Sequence, residues 1–328
     1  MNQGRLFVWT TLAMLVLSLA LVPPGSAREG EEDPGPVFHE MNPGSFLVFP
    51  LFDVRPGYAT QIRITNLNRS ASARVQFNFV CPGTREDNYC DALDRHESLT
   101  PYETFVLNVA DYNPPCEEGY VVAFVENAHQ EAIAFDYLIG SYHIAFEGSR
   151  EAAPAIAIQS LKEEGEVLGA DGELQFGTVA GPDPDYKAMP SHLYTDFQAV
   201  QNGAGSDLIL LTLDTIAGGH NPVASVDIKF WNEREDPFST SWQFVCWTRV
   251  PLERIDFNFF ADNLGTDYGA IALWPEPKCP VAGGCPPLEP FNPTILGAID
   301  EFGSSARART KRNLFHDKVP KSTVFFPR

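Results

Sequence analysis

The feature that most limits what this chain can fold into is the spacing of its apolar residues, which recur at every second position in short runs. Ile62 and Ile64 point one way while Gln61, Arg63 and Thr65 point the other, and Val75, Phe77, Phe79 and Cys81 lie opposite Arg74, Gln76 and Asn78. Strands of this kind bury one face and wet the other, as in antiparallel sheets packed face to face. No long window combines a 3.6-residue period with helix caps, so a helical fold is excluded. Clusters of Gly, Pro, Asn and Asp punctuate the runs, and Asn66–Ser70 and Asn232–Pro237 read as hairpin loops.

The runs also repeat. "SFLVFPLFDVRPG" at 45–57 matches "DLILLTLDTIAGG" at 207–219, "ATQIRITN" at 59–66 matches "VASVDIKFWN" at 223–232, and "ARVQFNFVC" at 73–81 matches "STSWQFVC" at 239–246. Farther on, 102–112 matches 253–263, 119–126 matches 268–276, and 132–141 matches 291–300. The expectation is an all-β chain of two tandem antiparallel, immunoglobulin-like β-sandwich repeats, each with about six or seven strands in roughly 100 residues. The organisation reads as a signal peptide at 1–27, a flexible acidic leader at 28–44, repeat 1 at 45–145, an irregular bridge at 146–206, repeat 2 at 207–304 and a basic C-terminal tail at 305–328. Within the bridge, "APAIAIQSLKEEGE" reads as a strand or short helix, "GADGELQF" as a hairpin and "MPSHLYTDFQAVQ" as a short helix start. The segment "SFLVFPLF" is apolar on both faces, so the bridge, or the tail that repeats "VFFP", is expected to cover it.

The first residues carry an export address. Arg5 precedes an apolar run from Leu6 to Val22, and Gly25-Ser26-Ala27 offers a small-x-small cleavage site after Ala27. The alternative is an uncleaved anchor; no later segment is long and apolar enough to cross a bilayer. A secreted, periplasmic or cell-surface location follows. Six cysteines, Cys81, Cys90, Cys116, Cys246, Cys279 and Cys285, form an even set suited to disulfides in an exported chain. Short loops favour Cys81–Cys90 and Cys279–Cys285, which leaves Cys116 and Cys246 for each other or free. Without a CxxC pair, zinc ligation is not indicated.

Charge narrows the partners. With 43 acidic against 23 basic residues the formal net charge is −20, which repels nucleic acid and anionic membranes. The tail breaks this trend through Arg307, Arg309, Lys311, Arg312, Lys318, Lys321 and Arg328. It reads as a solvated segment, as a strap lying on the acidic body, or as an edge strand able to self-associate by β-addition.

Signatures of chemistry are sparse. There is no nucleophile elbow, HExxH, phosphate loop or dinucleotide fingerprint, so no catalytic residue is assigned. The pairs His96/Glu97 and His129/Glu131 are commonplace loop neighbours. Carboxylates gather at Asp183/Asp185, Glu163/Glu164/Glu166 and Glu233/Glu235/Asp236, which makes Ca²⁺ the one candidate cofactor, although no defined calcium loop is present. Paired carboxylates would hydrolyse a glycoside only if they faced each other across a cleft. Trp242 shares the inward face with Phe244 and Cys246, whereas Trp231 and Trp247 fall on the polar face as candidate surface aromatics for a glycan or protein partner. Asn68-Arg69-Ser70 is a formal glycosylation sequon.

Taken together, "SFLVFPLFDVRPGYATQIRITNLN", "FDYLIGSYHI" and "AMPSHLYTDF" give a chain that resembles a group of secreted bacterial proteins with tandem immunoglobulin-like sandwiches, over most of 45–303. The resemblance implies an exported β-protein and brings no catalytic residue with it. The functional expectation is a secreted or surface-associated, non-enzymatic protein with a structural, adhesive or binding role. The alternative is an extracellular hydrolase or carbohydrate-binding accessory protein with a site between the repeats or on the second one.

Overall fold

A computed structural model describes residues 42–83, 90, 92–169, 173–177, 184–190, 192–213, 223–275, 295–304, 309–316, 320–322 and 324–327. The export segment, nearly all of the leader, Asp183 and the Cys279–Cys285 loop lie outside the described residues. The chain is all-β. Strands β1 (Phe46–Asp53), β2 (Tyr58–Asn66), β3 (Ala73–Val80), β4 (Ala92–Leu99), β5 (Thr104–Asn108), β6 (Glu118–Glu126), β7 (Leu138–Phe146), β8 (Ser149–Pro154) and β9 (Ile156–Ile158) come first. They form two antiparallel sheets, ordered β4-β3-β6-β1-β9 and β5-β2-β7-β8. Two short strands, β10 (Glu173–Phe176) and β11 (Met189–Pro190), follow. Next come β12 (Leu193–Gln198), β13 (Gly205–Thr212), β14 (Val223–Asn232), β15 (Pro237–Val245), β16 (Trp247–Pro251), β17 (Tyr268–Pro275), β18 (Ile295–Phe302), β19 (Arg309–Asn313) and β20 (Phe315–His316). Their sheets are ordered β15-β14-β17-β12-β20 and β16-β13-β18-β19.

The two groups share one strand order: β12 to β20 occupy, one for one, the positions of β1 to β9. Local detail repeats with them. A Cβ on Gly119 of β6 would strike the Val80 carbonyl and the Phe52 ring, and one on Gly269 of β17 would strike the Trp231 carbonyl and the Phe197 ring. The corner that carries the chain from β4 to β5 holds Tyr102 at φ 59°, and the corner from β15 to β16 holds Cys246 at φ 62°. In each group the second and fifth strands pair in one sheet, and the third and sixth in the other, as B–E and C–F do in an immunoglobulin domain. The first strand, however, lies beside the sixth, and the seventh beside the second.

This order corrects the sequence register by one strand. The counterpart of β1 is β12, which falls in the expected bridge and was expected to start a helix; its alternating burial, with Leu193, Thr195 and Phe197 inward, is that of a strand. The sequence match of β1 to β13 has another cause, because both are buried along their whole length. On β13, Leu208 and Leu210 join the core of the second sandwich, whereas Ile209 and Leu211 join a cluster with Phe46, Phe49 and Phe52 of the first. The cover over β1 is therefore chiefly β13 and β18 of the other sandwich. The bridge adds Phe176 and Tyr186, whose rings lie edge-on to Phe46 at 5.1 and 5.5 Å. The matches of β6 with β17 and of β7 with β18 agree with the fold.

Other connections differ from the sequence reading. Asn66–Ser70 is an arch between sheets rather than a hairpin, since β2 and β3 do not pair; β14 and β15 do pair, around Asn232. Strand β10 pairs with β22 (Val324–Pro327), and β11 with β21 (Pro320–Ser322), while the expected Asp171-Gly172 turn lies outside the described residues. The tail is thus tied into the same molecule by backbone pairing along one edge of β21 and of β22.

Candidate functional site: a charged cleft between the sandwiches

Burying charge is costly unless it is paired, and among the described residues a network of buried, paired charges lies where the two sandwiches meet. Arg249 on β16 is at the centre. Its Nε donates to Asp207 Oδ2 at 2.9 Å and its Nη2 to Asp300 Oδ2 at 2.6 Å, both on the second sandwich. Its Nη1 reaches Glu118 Oε1 at 3.2 Å and Asp53 Oδ2 at 3.4 Å, both on the first. Arg55 closes on the same acids, with Nη2 2.6 Å from Asp53 Oδ2 and 3.0 Å from Glu118 Oε1. Burial opposes the charge on Arg249, but Asp300, Asp207 and Glu118 outweigh it and hold the guanidinium above its ordinary pKa. Burial raises the Glu118 carboxyl, with Asp53 adding to the effect.

The tail continues this network. Arg309 Nη2 donates to Asp300 Oδ2 at 3.1 Å, and its Nε, buried and without a hydrogen bond, stands 3.6 Å from Glu151 Oε1 on β8. Lys311 Nζ lies 3.4 Å from Glu151 Oε2 and 3.7 Å from Asp300 Oδ2, with the side chains of Lys311, Glu151 and Asp300 3%, 9% and 1% exposed. Burial lowers the Lys311 ammonium and raises the Glu151 carboxyl. At the strand edge Arg312 binds Glu301 and Asp196.

Beside this network opens a cleft of about 480 Å³, lined among others by Arg55, Tyr58, Glu118, Asp207, Arg249, Arg254 and Phe302. Glu118 and Asp207 line it on the same guanidinium, so they do not face each other across an open gap as a glycosidase pair must. Tyr58 has Phe146 stacked on one side at 4.1 Å and the Arg55 guanidinium 4.7 Å from its ring centre. Another hollow, of about 530 Å³, lies along β5, where Tyr112 donates to Glu97 at 2.6 Å.

The residues singled out from sequence are scattered. Cys81 pairs with Cys116, and Cys90 with Cys246, in place of Cys81–Cys90 and Cys116–Cys246. The second bond joins the two sandwiches, a pairing that loop length along the chain could not suggest. Trp247 is buried rather than exposed, and its Nε1 donates to the Pro50 carbonyl at 2.9 Å, so it fastens β16 to β1. Trp242 packs against the second core. Trp231 is half-buried on the outward side of β14, with Lys229 Nζ 5.5 Å from its ring centre. His96 meets Glu126 at 2.9 Å instead of Glu97. Asn68 is buried, its Oδ1 accepting from the Ser70 and Ala71 amides, which withholds the sequon from modification in the folded chain.

Several of the clustered acids serve local hydrogen bonds to backbone amides and side chains. Asp185 accepts from the Gly169 and Gln175 amides, Glu166 from the Glu163 amide, and Glu164 from Asn68 and Tyr137. Among the described residues no three metal-ligating side chains converge, and no helix is long and apolar enough to cross a membrane. The charged network was missed because its members are single acids at the ends of apolar strands. Asp53 after "FPLF" and Asp300 after "LGAI" are the local signals that could have marked it.

The second sandwich also carries an open sheet face. Tyr194 on β12 and Phe315 on β20 are 41% and 62% exposed and directly paired. In register with them lie Ala272 and Lys229, and Ala270 separates Trp231 from Asp196.

No family model and no curated protein matches the chain. Among solved structures, one similar chain is a glycosyl hydrolase family 2 member from Bacteroides cellulosilyticus, 10% identical, with 89% of this chain and 28% of that chain covered and a TM-score of 0.15. This chain thus spans little more than a quarter of that enzyme's length, and a likeness at that score carries no argument about fold or activity.

Proposed function

We propose that this is an exported, non-enzymatic protein with a structural, adhesive or binding role, built as one rigid two-sandwich scaffold. The observation that carries this reading is how the buried charges at the interface are used. Arg249 takes Asp53 and Glu118 from one sandwich and Asp207 and Asp300 from the other, so the groups that could have done acid–base work hold the halves together. The Cys90–Cys246 bond does the same covalently. Export is supported by the signal-like pattern of residues 1–27 and by disulfides, which persist in oxidising compartments. The test is crosslinking and affinity recovery of partners from the native cell surface, alongside hydrolase assays on glycans, esters and peptides. Turnover that disappears in the Glu118→Gln/Asp207→Asn double variant would overturn the non-enzymatic reading.

A carbohydrate-binding accessory role is the second reading, favoured by the face that carries Tyr194, Phe315 and Trp231. Open aromatic faces with polar neighbours suit the apolar side of a sugar. A glycan array gives a direct check: signal lost in Tyr194→Ala and Trp231→Ala supports this reading, and an array without signal counts against it.

A further inference from the structure

We infer that Lys311 and Glu151 condense to an intramolecular amide, a covalent crosslink between the two sandwiches. Lys311 lies on β19 of the second sandwich and Glu151 on β8 of the first, with Nζ 3.4 Å from Oε2, so the amine and the carboxyl that would join are already side by side. Both side chains are almost wholly removed from water, and Asp300 lies directly opposite Lys311 in the β18–β19 ladder.

An amine attacks a carboxyl only when both are neutral, and the surroundings favour that state. Transfer of one proton from the Lys311 ammonium to the Glu151 carboxylate gives an amine beside a carboxylic acid. Burial pushes both groups toward those neutral forms. The free pair on Nζ then forms the N–C bond to Glu151 Cδ, and the carbonyl electrons move onto its oxygen. Arg309 Nε, 3.6 Å from Oε1 and without another hydrogen bond, is the donor placed to meet that developing charge. Asp300, whose Oδ2 stands 3.7 Å from Nζ and whose Oδ1 has no hydrogen bond, accepts the proton released by nitrogen and returns it to the departing hydroxyl. One C–N bond forms, one C–O bond breaks, and one water leaves; no oxidant or cofactor enters. The product replaces a buried ion pair, which must be desolvated at a cost, by a neutral amide.

The remaining groups around the site are consistent with these roles. Arg249 and Arg309 fix Asp300 through Oδ2 at 2.6 and 3.1 Å, which leaves its buried Oδ1, without a hydrogen bond, as the oxygen open to a proton. Glu151 Oε2 makes no hydrogen bond, so no other donor holds it away from Nζ.

The test is the intact mass of the purified, disulfide-bonded full chain and a peptide map of it. The expected result is a mass lower by one water and a branched peptide joining the Glu151 and Lys311 segments, resistant to reductant. Lys311→Arg, which keeps the positive charge but lacks the amine, should have the full mass and no branched peptide. Wild-type protein at full mass overturns the inference, and so does a branch mapped to Asp300 instead of Glu151. The wild-type mass needs no variant to fold, so the outcome is decisive even if Lys311→Arg is unstable.

Discussion

At Arg249 four carboxylates converge on one guanidinium, and its removal would leave Asp53 and Asp300, 0% and 1% exposed at their side chains, without their central counter-charge. Removing one partner of a buried ion pair typically costs about 3–5 kcal/mol, because the desolvated charge left behind is unpaired. Arg249→Met is therefore expected to lose that much in urea unfolding, with little recovery in Arg249→Lys, whose point charge cannot span four acceptors; a loss near zero would show that the network is not what joins the halves. Glu118 gives a prediction of opposite sign. Burial raises its carboxyl above the ordinary 4.5, so the folded chain binds more protons there than the unfolded one. That contribution to stability is complete below 4.5 and is lost as pH rises through the raised value. Glu118→Gln, neutral throughout, should then be at least as stable as wild type at pH 7, with the advantage shrinking as pH falls toward 4.5. Paired denaturant curves at the two pH values decide it, and a wild type clearly more stable at pH 7 would reverse the sign.

Between strands the decisive contacts are those of backbone against backbone. Gly119 and Gly269 sit at equivalent positions of β6 and β17, where a Cβ would collide with the carbonyl oxygens of Val80 and Trp231 and with the rings of Phe52 and Phe197. A main-chain oxygen in a ladder cannot swing aside, so each Gly→Ala change should cost about 1–3 kcal/mol, as overpacking does. Similar losses in thermal unfolding at both sites would support the equivalence of the two strands; a cost at one site only would break it. The elements themselves were legible in the sequence, because alternation is a local signal: the inward Ile62 and Ile64 of β2 are where the pattern puts them. The partners of those elements were not legible. The run at 207–213 looks like 45–51 because each strand is covered on one face by its own sandwich and on the other by its partner, so a shared environment passed for shared descent. Leu193–Gln198 was obscured by Pro190 and Ser191, which resemble a helix start, and only its burial pattern identifies it as a strand. The charged network was least legible, since the acids around Arg249 come from 42 to 196 residues away along the chain.

Over the whole molecule the two sandwiches are expected to unfold as one. Strands β1 and β13 are each buried along their full length, and part of that burial comes from the other half, so neither sandwich closes its own surface alone. The disulfides test how much of this unity is covalent. Cys81–Cys116 spans 35 residues within the first sandwich, whereas Cys90–Cys246 spans 156 and crosses to the second. A crosslink restricts the unfolded chain more as the loop it closes lengthens, with typical effects of about 2–4 kcal/mol. The double variant Cys90→Ala/Cys246→Ala should therefore lose about 5 kcal/mol and exceed Cys81→Ala/Cys116→Ala by about 1 kcal/mol. Pairing the substitutions avoids a stray thiol. Because the apolar interface, the Arg249 network and the inferred Lys311–Glu151 crosslink remain, the crossing variant should still melt in a single transition that coincides by tryptophan fluorescence and far-UV circular dichroism. Trp247 is well placed for that readout, since its indole donates to Pro50 across the interface and would report separation of the halves before either unfolds. Two resolved transitions would mean that the disulfide, rather than the packed and charged interface, makes the sandwiches one body.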